Sequence, residues 1–362
     1  MRRVPVTLPS SIATHPVETN YVRVEPVTND VGGPMLLLHG FDSSLLEWRR
    51  LIPELEKMGA DAYAMDVLGW GFTGSEGVTS LGAEAKRTHL LEFWKQVMGE
   101  RPMTLVGASL GGTIALDFAH EFPEAVKRLV LIDAQGFIDG AGPGKWLPEP
   151  LARIGVAILG SKPLRSLAND MSYANKELAT EDAVRIGRLH VHREGWADAN
   201  MKFMGSGGFN VSSKVPGIHT ETLILWGRQD KILDPNLYAQ RFEDELPFAR
   251  LVWVEDCGHV PHLEQPSLTA REVFSFAQNG NPLQEVCTMC GGSELQACYN
   301  CDGQGYYTTY GVVVVCKGCK GTGNILCRSC FNGDPWDIEG VRARAEEVRQ
   351  NSLLGVRRRA RK

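Results

Sequence analysis

The sequence predicts an α/β protein: a doubly wound, mostly parallel sheet with a helical insertion, followed by a small C-terminal unit organised around cysteines. Three observations predict it. Short apolar runs alternate with amphipathic stretches over the first 135 residues, as strands joined by crossover helices do. The alternation stops between about 137 and 215, then resumes to about 276. Eight of the nine cysteines fall between Cys287 and Cys330.

The elements follow in order. Val22-Arg23-Val24 alternates like a strand, and Met35 to Leu38 is an apolar run ending before Gly40, read as a buried parallel strand entering a loop. Residues 44–58 place Leu45, Trp48, Ile52 and Leu55 on one helical side. Asp61 to Asp66 is the next strand, residues 83–98 a helix, Met103 to Gly107 a strand, Gly111 to Glu121 a helix and Val126 to Asp133 a strand. From 137 to 215 there are glycines, prolines and short helical pieces; a structureless loop of that length is unusual, so the segment reads as a helical lid. Strands return at Thr222–Gly227 and Leu251–Val254, Pro266 to Phe276 closes the domain as a helix, and Ala277 to Pro282 is a linker by composition. The expected domains are thus 20–278, 283–335 and a basic tail at 336–362, whose last 22 residues hold eight Arg or Lys against two Glu.

Hydrophobic residues at 43%, charged residues at 22% and a net charge of −5 are those of an ordinary globular chain without a general attraction for nucleic acid. No apolar run reaches the length of a membrane span. Nor does an apolar core follow Arg2 and Arg3, so a secretory leader is not expected. The first acidic residue is Glu18; this acid-free start reads as a frayed terminus or as the tail of an organelle transit peptide.

Gly107-Ala108-Ser109-Leu110-Gly111 fits G-x-S-x-G between a strand and a helix, the setting of a nucleophile elbow. The glycines permit a tight turn that lifts the Ser109 hydroxyl clear of the sheet and aims the Leu110 N–H at a developing oxyanion. A nucleophilic serine needs a base held in one tautomer by a carboxylate. In chain order Ser, Asp, His, the candidates are Asp230, after the strand ending at Gly227, and His259, after the strand ending at Val254. Asp234 precedes Pro235 and reads as a turn residue, Asp133 is a strand-end alternative for the acid, and His262 is an alternative base three residues from His259. His39 is expected to shape the oxyanion loop, His190 and His192 to lie on the surface or pack in the lid, and Cys257 to be a small buried residue. Trp146, Trp196, Phe203 and Met204 either face an apolar pocket or form the lid's own core.

Leu38-His39-Gly40-Phe41-Asp42, Asp66-Val67-Leu68-Gly69-Trp70-Gly71, Gly107-Ala108-Ser109-Leu110-Gly111-Gly112, Trp226-Gly227-Arg228-Gln229-Asp230 and Cys257 to Pro266 resemble the corresponding blocks of α/β-hydrolases. The resemblance spans roughly 20–278 and is nearest to small esterase-like and carbon–carbon-bond hydrolases, including plant plastid members. It implies an α/β-hydrolase fold, a small apolar ester-like substrate, a chloroplast location, Ser109 as nucleophile, His259 as base, Asp230 as acid and the N–H groups of Phe41 and Leu110 as the oxyanion hole.

The C-terminal cysteines form four C-x-x-C pairs, Cys287/Cys290, Cys298/Cys301, Cys316/Cys319 and Cys327/Cys330. Four such pairs in 44 residues, with one lone cysteine in the large domain, point to thiolate zinc sites in a reducing compartment and not to disulfides. Two of them continue as C-x-x-C-x-G-x-G and resemble the cysteine-rich zinc domain of DnaJ-type chaperones, a zinc-stabilised β-hairpin unit. That resemblance implies two zinc ions, one on Cys287, Cys290, Cys327 and Cys330, the other on Cys298, Cys301, Cys316 and Cys319. Glu294, Asn332 and Asp334 depart from the glycine pattern around the outer set, and no His-Pro-Asp triplet of a J-domain is found. The functional expectation is a serine hydrolase with a zinc-binding accessory domain. The alternative is a chaperone-like or thiol-exchange protein that binds protein partners and uses the hydrolase domain as a scaffold.

Overall fold

The computed structural model describes residues 1–26, 32–140, 148–281, 295–309, 312–327 and 336–353. They separate into two compact units, Met1–Asn281 and Pro282–Lys362.

The first unit is built on an eight-stranded sheet: β1 (Arg2–Val6), β2 (Val17–Val24), β3 (Met35–Leu38), β4 (Ala62–Met65), β5 (Met103–Ala108), β6 (Val126–Ile132), β7 (Thr222–Gly227) and β8 (Ala249–Val254), in the order β1-β2-β4-β3-β5-β6-β7-β8. β1 and β2 are antiparallel; β4, β3, β5, β6, β7 and β8 run parallel. The parallel strands are continuous apolar runs because both faces are covered. Leu36, Leu38, Leu105, Leu129 and Leu131 enter one core cluster; Met35, Leu37, Val106, Val130 and Ile132 enter the other.

Helices α1 (Leu51–Lys57) and α10 (Pro266–Asn279) cover the second of these faces with Leu51, Leu55, Val273 and Phe276. The first is covered by α2 (Ala83–Met98), α3 (Leu110–Glu121) and α8 (Pro235–Glu245) through Phe93, Phe118 and Phe242. Between β6 and β7 stand α4 (Glu149–Gly160), α5 (Lys162–Ser172), α6 (Glu181–Arg188) and α7 (Trp196–Gly205). The single-turn α9 (Pro261–Glu264) follows β8.

One expectation is corrected. The chain start neither frays nor stays apart from the domain: β1 pairs with β2 from Arg2↔Tyr21 to Val6↔Val17. Val6 is buried and Pro5 exposed. Proline is tolerated because β1 is an edge strand and needs no donor on its open side. Strand order reverses at β3, which has β4 on one side and β5 on the other. The crevice outside the carboxyl ends of β3 and β5 is where ligands bind in such sheets.

In the second unit, β9 (Leu295–Ala297) pairs antiparallel with β12 (Asn324–Leu326), and β10 (Tyr306–Thr309) with β11 (Val312–Val315). Helix α11 (Ile338–Leu353) buries Val341.

Candidate active site

Ser109 stands between β5 and α3 with φ 50° and ψ −122°, a conformation a non-glycine residue holds only when its surroundings impose it. The surroundings are glycines in close approach. A Cβ on Gly107 would lie 2.4 Å from the Gly111 carbonyl oxygen, and one on Gly111 would lie 2.2 Å from the Leu38 carbonyl oxygen. The Ser109 backbone is fixed by its N–H donating to Ile132 O at 3.0 Å and its carbonyl accepting from Gly112 N and Gln135 N, each at 2.9 Å.

His259 and Asp230 lie beyond β8 and β7. The imidazole Nδ1 and Asp230 Oδ2 are 2.7 Å apart. Asp230 Oδ1 accepts from the N–H groups of Ile232 at 2.7 Å and Leu233 at 3.0 Å, so both carboxylate oxygens are held. Ser109 and His259 line one cavity of about 430 Å³, within the range of small-molecule sites. No hydrogen bond joins them here; such contacts are commonly long in ligand-free sites. Phe41 and Gly40 line the same cavity. Among the described residues neither the Phe41 nor the Leu110 N–H has a hydrogen-bond acceptor, which leaves both available to an oxyanion.

The rival residues have other work. Asp234 caps α8, its Oδ1 accepting from Asn236 N at 2.9 Å. His262 is buried against Trp48, with Nε2 3.3 Å from Glu47 Oε1. His39 donates from Nδ1 to Gly40 O at 2.9 Å and accepts at Nε2 from Val67 N at 3.1 Å, which fixes a neutral tautomer. Burial pulls its pKa down to about 4, so it shapes the loop without carrying charge. Cys257 is fully buried, and burial together with Asp133 and Glu264 pushes its thiol far up, which keeps it from acting as a nucleophile. Asp133, buried beside Asp230, accepts from Gly227 N at 2.9 Å.

Helices α4 to α6 supply Leu159, Leu164, Ala168, Val184 and Ile186 to the cavity, with Leu263 opposite. Arg49, Arg165 and Arg188 also line it, each already donating to a backbone carbonyl, of Leu46, Leu159 and Gly160 respectively. Trp196 and Phe203 do not line this cavity; they are buried among Trp70, Phe41 and Asp42 as packing of the insertion itself. Trp146 lies outside the described residues.

Two residues that the sequence did not single out organise the loop after β3. Asp42, buried at φ 44°, accepts from Trp196 Nε1 at 2.8 Å and Asn200 Nδ2 at 3.1 Å, pairs with Arg165 and lies 3.4 Å from His190 Nε2. Burial opposes its ionisation, but His190, Arg165 and Trp196 outweigh it and hold the carboxyl below the ordinary value. Glu47 accepts from Gly40 N at 3.1 Å, bracing the residue before Phe41. His190 thus packs in the lid and His192 lies on the surface, the two placements expected of them.

In the second unit Cys298, Cys301, Cys316 and Cys319 converge. All four are buried and their sulfurs lie within 4.8 Å of one another. The Cys298–Cys316 and Cys301–Cys319 separations are 3.9 and 3.8 Å. A tetrahedron with metal–sulfur bonds of about 2.3 Å has edges of about 3.8 Å, so the donor set fits a zinc ion. Gly303, Gly305, Gly321 and Gly323 all have positive φ, from 72° to 88°, and turn the chain around the cluster. Cys327 is buried; Cys287, Cys290 and Cys330 lie outside the described residues.

A strained serine stands at the switch point of a doubly wound sheet, a buried Asp–His pair lies beyond β7 and β8, and Ser109 and His259 share one cavity; the comparison with known families agrees. The sequence profile of the Alpha/beta hydrolase family matches residues 35–272. The chain belongs to this family. It is 44% identical over 245 residues, 67% of this chain and 74% of the other, to the alpha/beta hydrolase domain-containing protein VTE7 of Arabidopsis thaliana. It is 30% identical over 272 residues, 70% of this chain and 92% of the other, to a 2-hydroxy-6-oxo-2,4-heptadienoate hydrolase of Pseudomonas putida. A thermophilic esterase from Thermogutta terrifontis shares the fold, with a TM-score of 0.64 at 19% identity over 78% of this chain and all of that one. The protein is an enzyme of the hydrolase type.

Proposed function

We propose that the protein is a serine hydrolase acting on an ester or related acyl bond, with a carbon–carbon bond flanked by a carbonyl as the chemically adjacent substrate. The observation behind this reading is the 2.7 Å His259–Asp230 contact beside a Ser109 held in a strained turn on the same cavity. Asp230 keeps the proton of the neutral imidazole on Nδ1, leaving Nε2 free to accept. Ser109 Oγ attacks the acyl carbon while its proton passes to His259 Nε2. The oxyanion is met by the N–H groups of Phe41 and Leu110. The His259 proton then leaves with the alcohol or carbon leaving group, and water repeats the sequence in reverse to free the acid. The apolar lining from Leu159, Leu164, Val184 and Leu263 supports an apolar substrate.

Zinc belongs to the same proposal, with two ions in the C-terminal unit. The four convergent sulfurs support the inner ion on Cys298, Cys301, Cys316 and Cys319, where it would supply folding energy to a unit with little apolar core. The outer ion on Cys287, Cys290, Cys327 and Cys330 rests on the resemblance to DnaJ-type zinc domains. A plastid location rests on the resemblance to plant plastid hydrolases, and the relative from Arabidopsis thaliana is a plant protein. No described helix is long and apolar enough to cross a membrane.

The test is labelling with a fluorophosphonate probe. The wild type should be labelled at Ser109 and should hydrolyse short aryl esters, and Ser109→Ala should lose both with its fold intact. Hydrolysis by Ser109→Ala at the wild-type rate would reject the assignment. A second reading, that the C-terminal unit binds protein partners, is favoured by Val312, Val313 and Val315, all at least 60% exposed on β11. Capture of an unfolded polypeptide by the labelled wild type, lost on Val313→Lys, would support it.

A further inference from the structure

Two buried carboxyls stand beside one imidazole. Carboxyl oxygens of Asp133 and Asp230 and a ring nitrogen of His259 all lie within 4.8 Å of one another, at residue exposures of 0%, 6% and 7%. Two carboxylates at this distance inside a domain repel strongly, and such pairs commonly hold one proton between them. Among the described residues Asp230 pairs with His259, and no lysine or arginine forms an ion pair with either carboxyl. The other titratable groups facing Asp133 are the thiol of Cys257 and the carboxylate of Glu264, and neither brings positive charge. The donors are shared unequally. Among the described residues Asp230 receives the N–H groups of Ile232 and Leu233 and the imidazole, whereas Asp133 receives only Gly227 N, on Oδ1. Asp133 Oδ2 is buried and has no donor. An ionised Asp133 would leave that oxygen unsatisfied beside a second negative charge; a protonated one turns it into a donor, with the Asp230 carboxylate as the neighbouring acceptor.

Resting on the triad reading above, we propose that Asp133 holds a proton at neutral pH and donates it in a hydrogen bond to Asp230, making Asp133 a positioning residue for the acid of the triad. The hydrogen bond spreads the charge of Asp230, holds the carboxylate in the plane that His259 needs, and keeps the site at one net negative charge before the imidazolium forms. Burial and the proximity of Asp230 push the Asp133 carboxyl well above the ordinary carboxylate range, in the same direction.

The experiment uses the full-length chain and three variants. Asp133→Asn keeps a donor and cannot ionise, whereas Asp133→Leu keeps the approximate volume and removes the donor. Infrared difference spectra of wild type minus Asp133→Asn at neutral pH should contain the carbonyl stretch of a protonated carboxyl, shifted by deuteration. Asp133→Asn should hydrolyse an aryl ester at close to the wild-type rate. Asp133→Leu should fall by about 10- to 100-fold, the loss expected for a buried hydrogen bond to a charged group. If Asp133→Leu folds poorly, Asp133→Ser, a smaller residue with a hydroxyl donor, provides the comparison and should fall between the two. Absence of the protonated-carboxyl band, or equal rates and pH profiles for Asn and Leu, would overturn the proposal. The infrared result is independent of activity. A failure of fluorophosphonate labelling in the wild type would reject the triad reading and leave the proton assignment to stand or fall by its own spectrum.

Discussion

Replacing Asp230 by Asn tests the assignment at its most specific point, because the structure dictates how the amide will sit. Oδ1 accepts two backbone N–H groups, from Ile232 at 2.7 Å and Leu233 at 3.0 Å. Only the carbonyl oxygen of an asparagine can take that position. The amide nitrogen is therefore forced into the place of Oδ2, 2.7 Å from His259 Nδ1, where it is a donor. The imidazole must then present a bare Nδ1 and carry its proton on Nε2, the nitrogen that has to accept from Ser109. The site keeps its shape and loses its base. In a serine protease the equivalent exchange lowers kcat about 10⁴-fold, which is roughly 5.5 kcal/mol of transition-state stabilisation. A loss of that order is expected here. The assay is kcat on a p-nitrophenyl ester, with circular dichroism confirming the fold. Asp234→Asn is the control: asparagine caps helices as well as aspartate does, so its rate should stay within about twofold. A loss under about tenfold for Asp230→Asn, or a crippled Asp234→Asn, would mean that the acid is misassigned.

Other outcomes follow from the same geometry. Gly111→Ala brings a Cβ to 2.2 Å from the Leu38 carbonyl oxygen, so it should destabilise the fold by about 1–3 kcal/mol or more and abolish soluble activity; a variant with wild-type melting temperature and rate would contradict the packing. Elemental analysis of the chain purified under reducing conditions should give two zinc ions, with Cys298→Ser losing one; one ion in the wild type would mean a degenerate outer site, and none would reject the metal assignment. His39 and His89 are held neutral by burial, at pKa values of about 4 and about 3. Above the unfolded value of about 6.5 neither state binds the proton; below it the unfolded chain does and the folded one does not, so stability is lost as pH falls from about 6.5 towards 4. At pH 5 each histidine should cost roughly 2 kcal/mol, and denaturant titrations should show His89→Asn losing less between pH 7 and 5 than the wild type; equal losses would reject the buried-neutral assignment.

The sequence by itself determined the elements whose signal is local. The apolar runs at Met35–Leu38, Met103–Ala108 and Thr222–Gly227 are strands because a parallel strand buried on both faces must be continuously apolar, and the 83–98 periodicity is the helix Ala83–Met98. Gly107, Gly111 and Ser109 announced the turn because few other residues fit it. The four C-x-x-C pairs were legible from spacing, and their grouping into an inner set was what the DnaJ-type resemblance implied; Gly303, Gly305, Gly321 and Gly323 take the positive φ that turning the chain around that set needs. What the tertiary structure alone decided depends on contacts between distant segments. The first strand was hidden because an edge strand with Pro5 has no strong local pattern and is stabilised by its pairing with Val17–Val24. The role of Asp42 depends on Arg165, Trp196 and Asn200, more than 120 positions away, which close on it only in the fold. The choice between Asp230 and Asp234, four residues apart, could not be made by periodicity. What the fold adds is that Asp230 meets His259, because two strand ends lie side by side in the sheet, while Asp234 caps a helix.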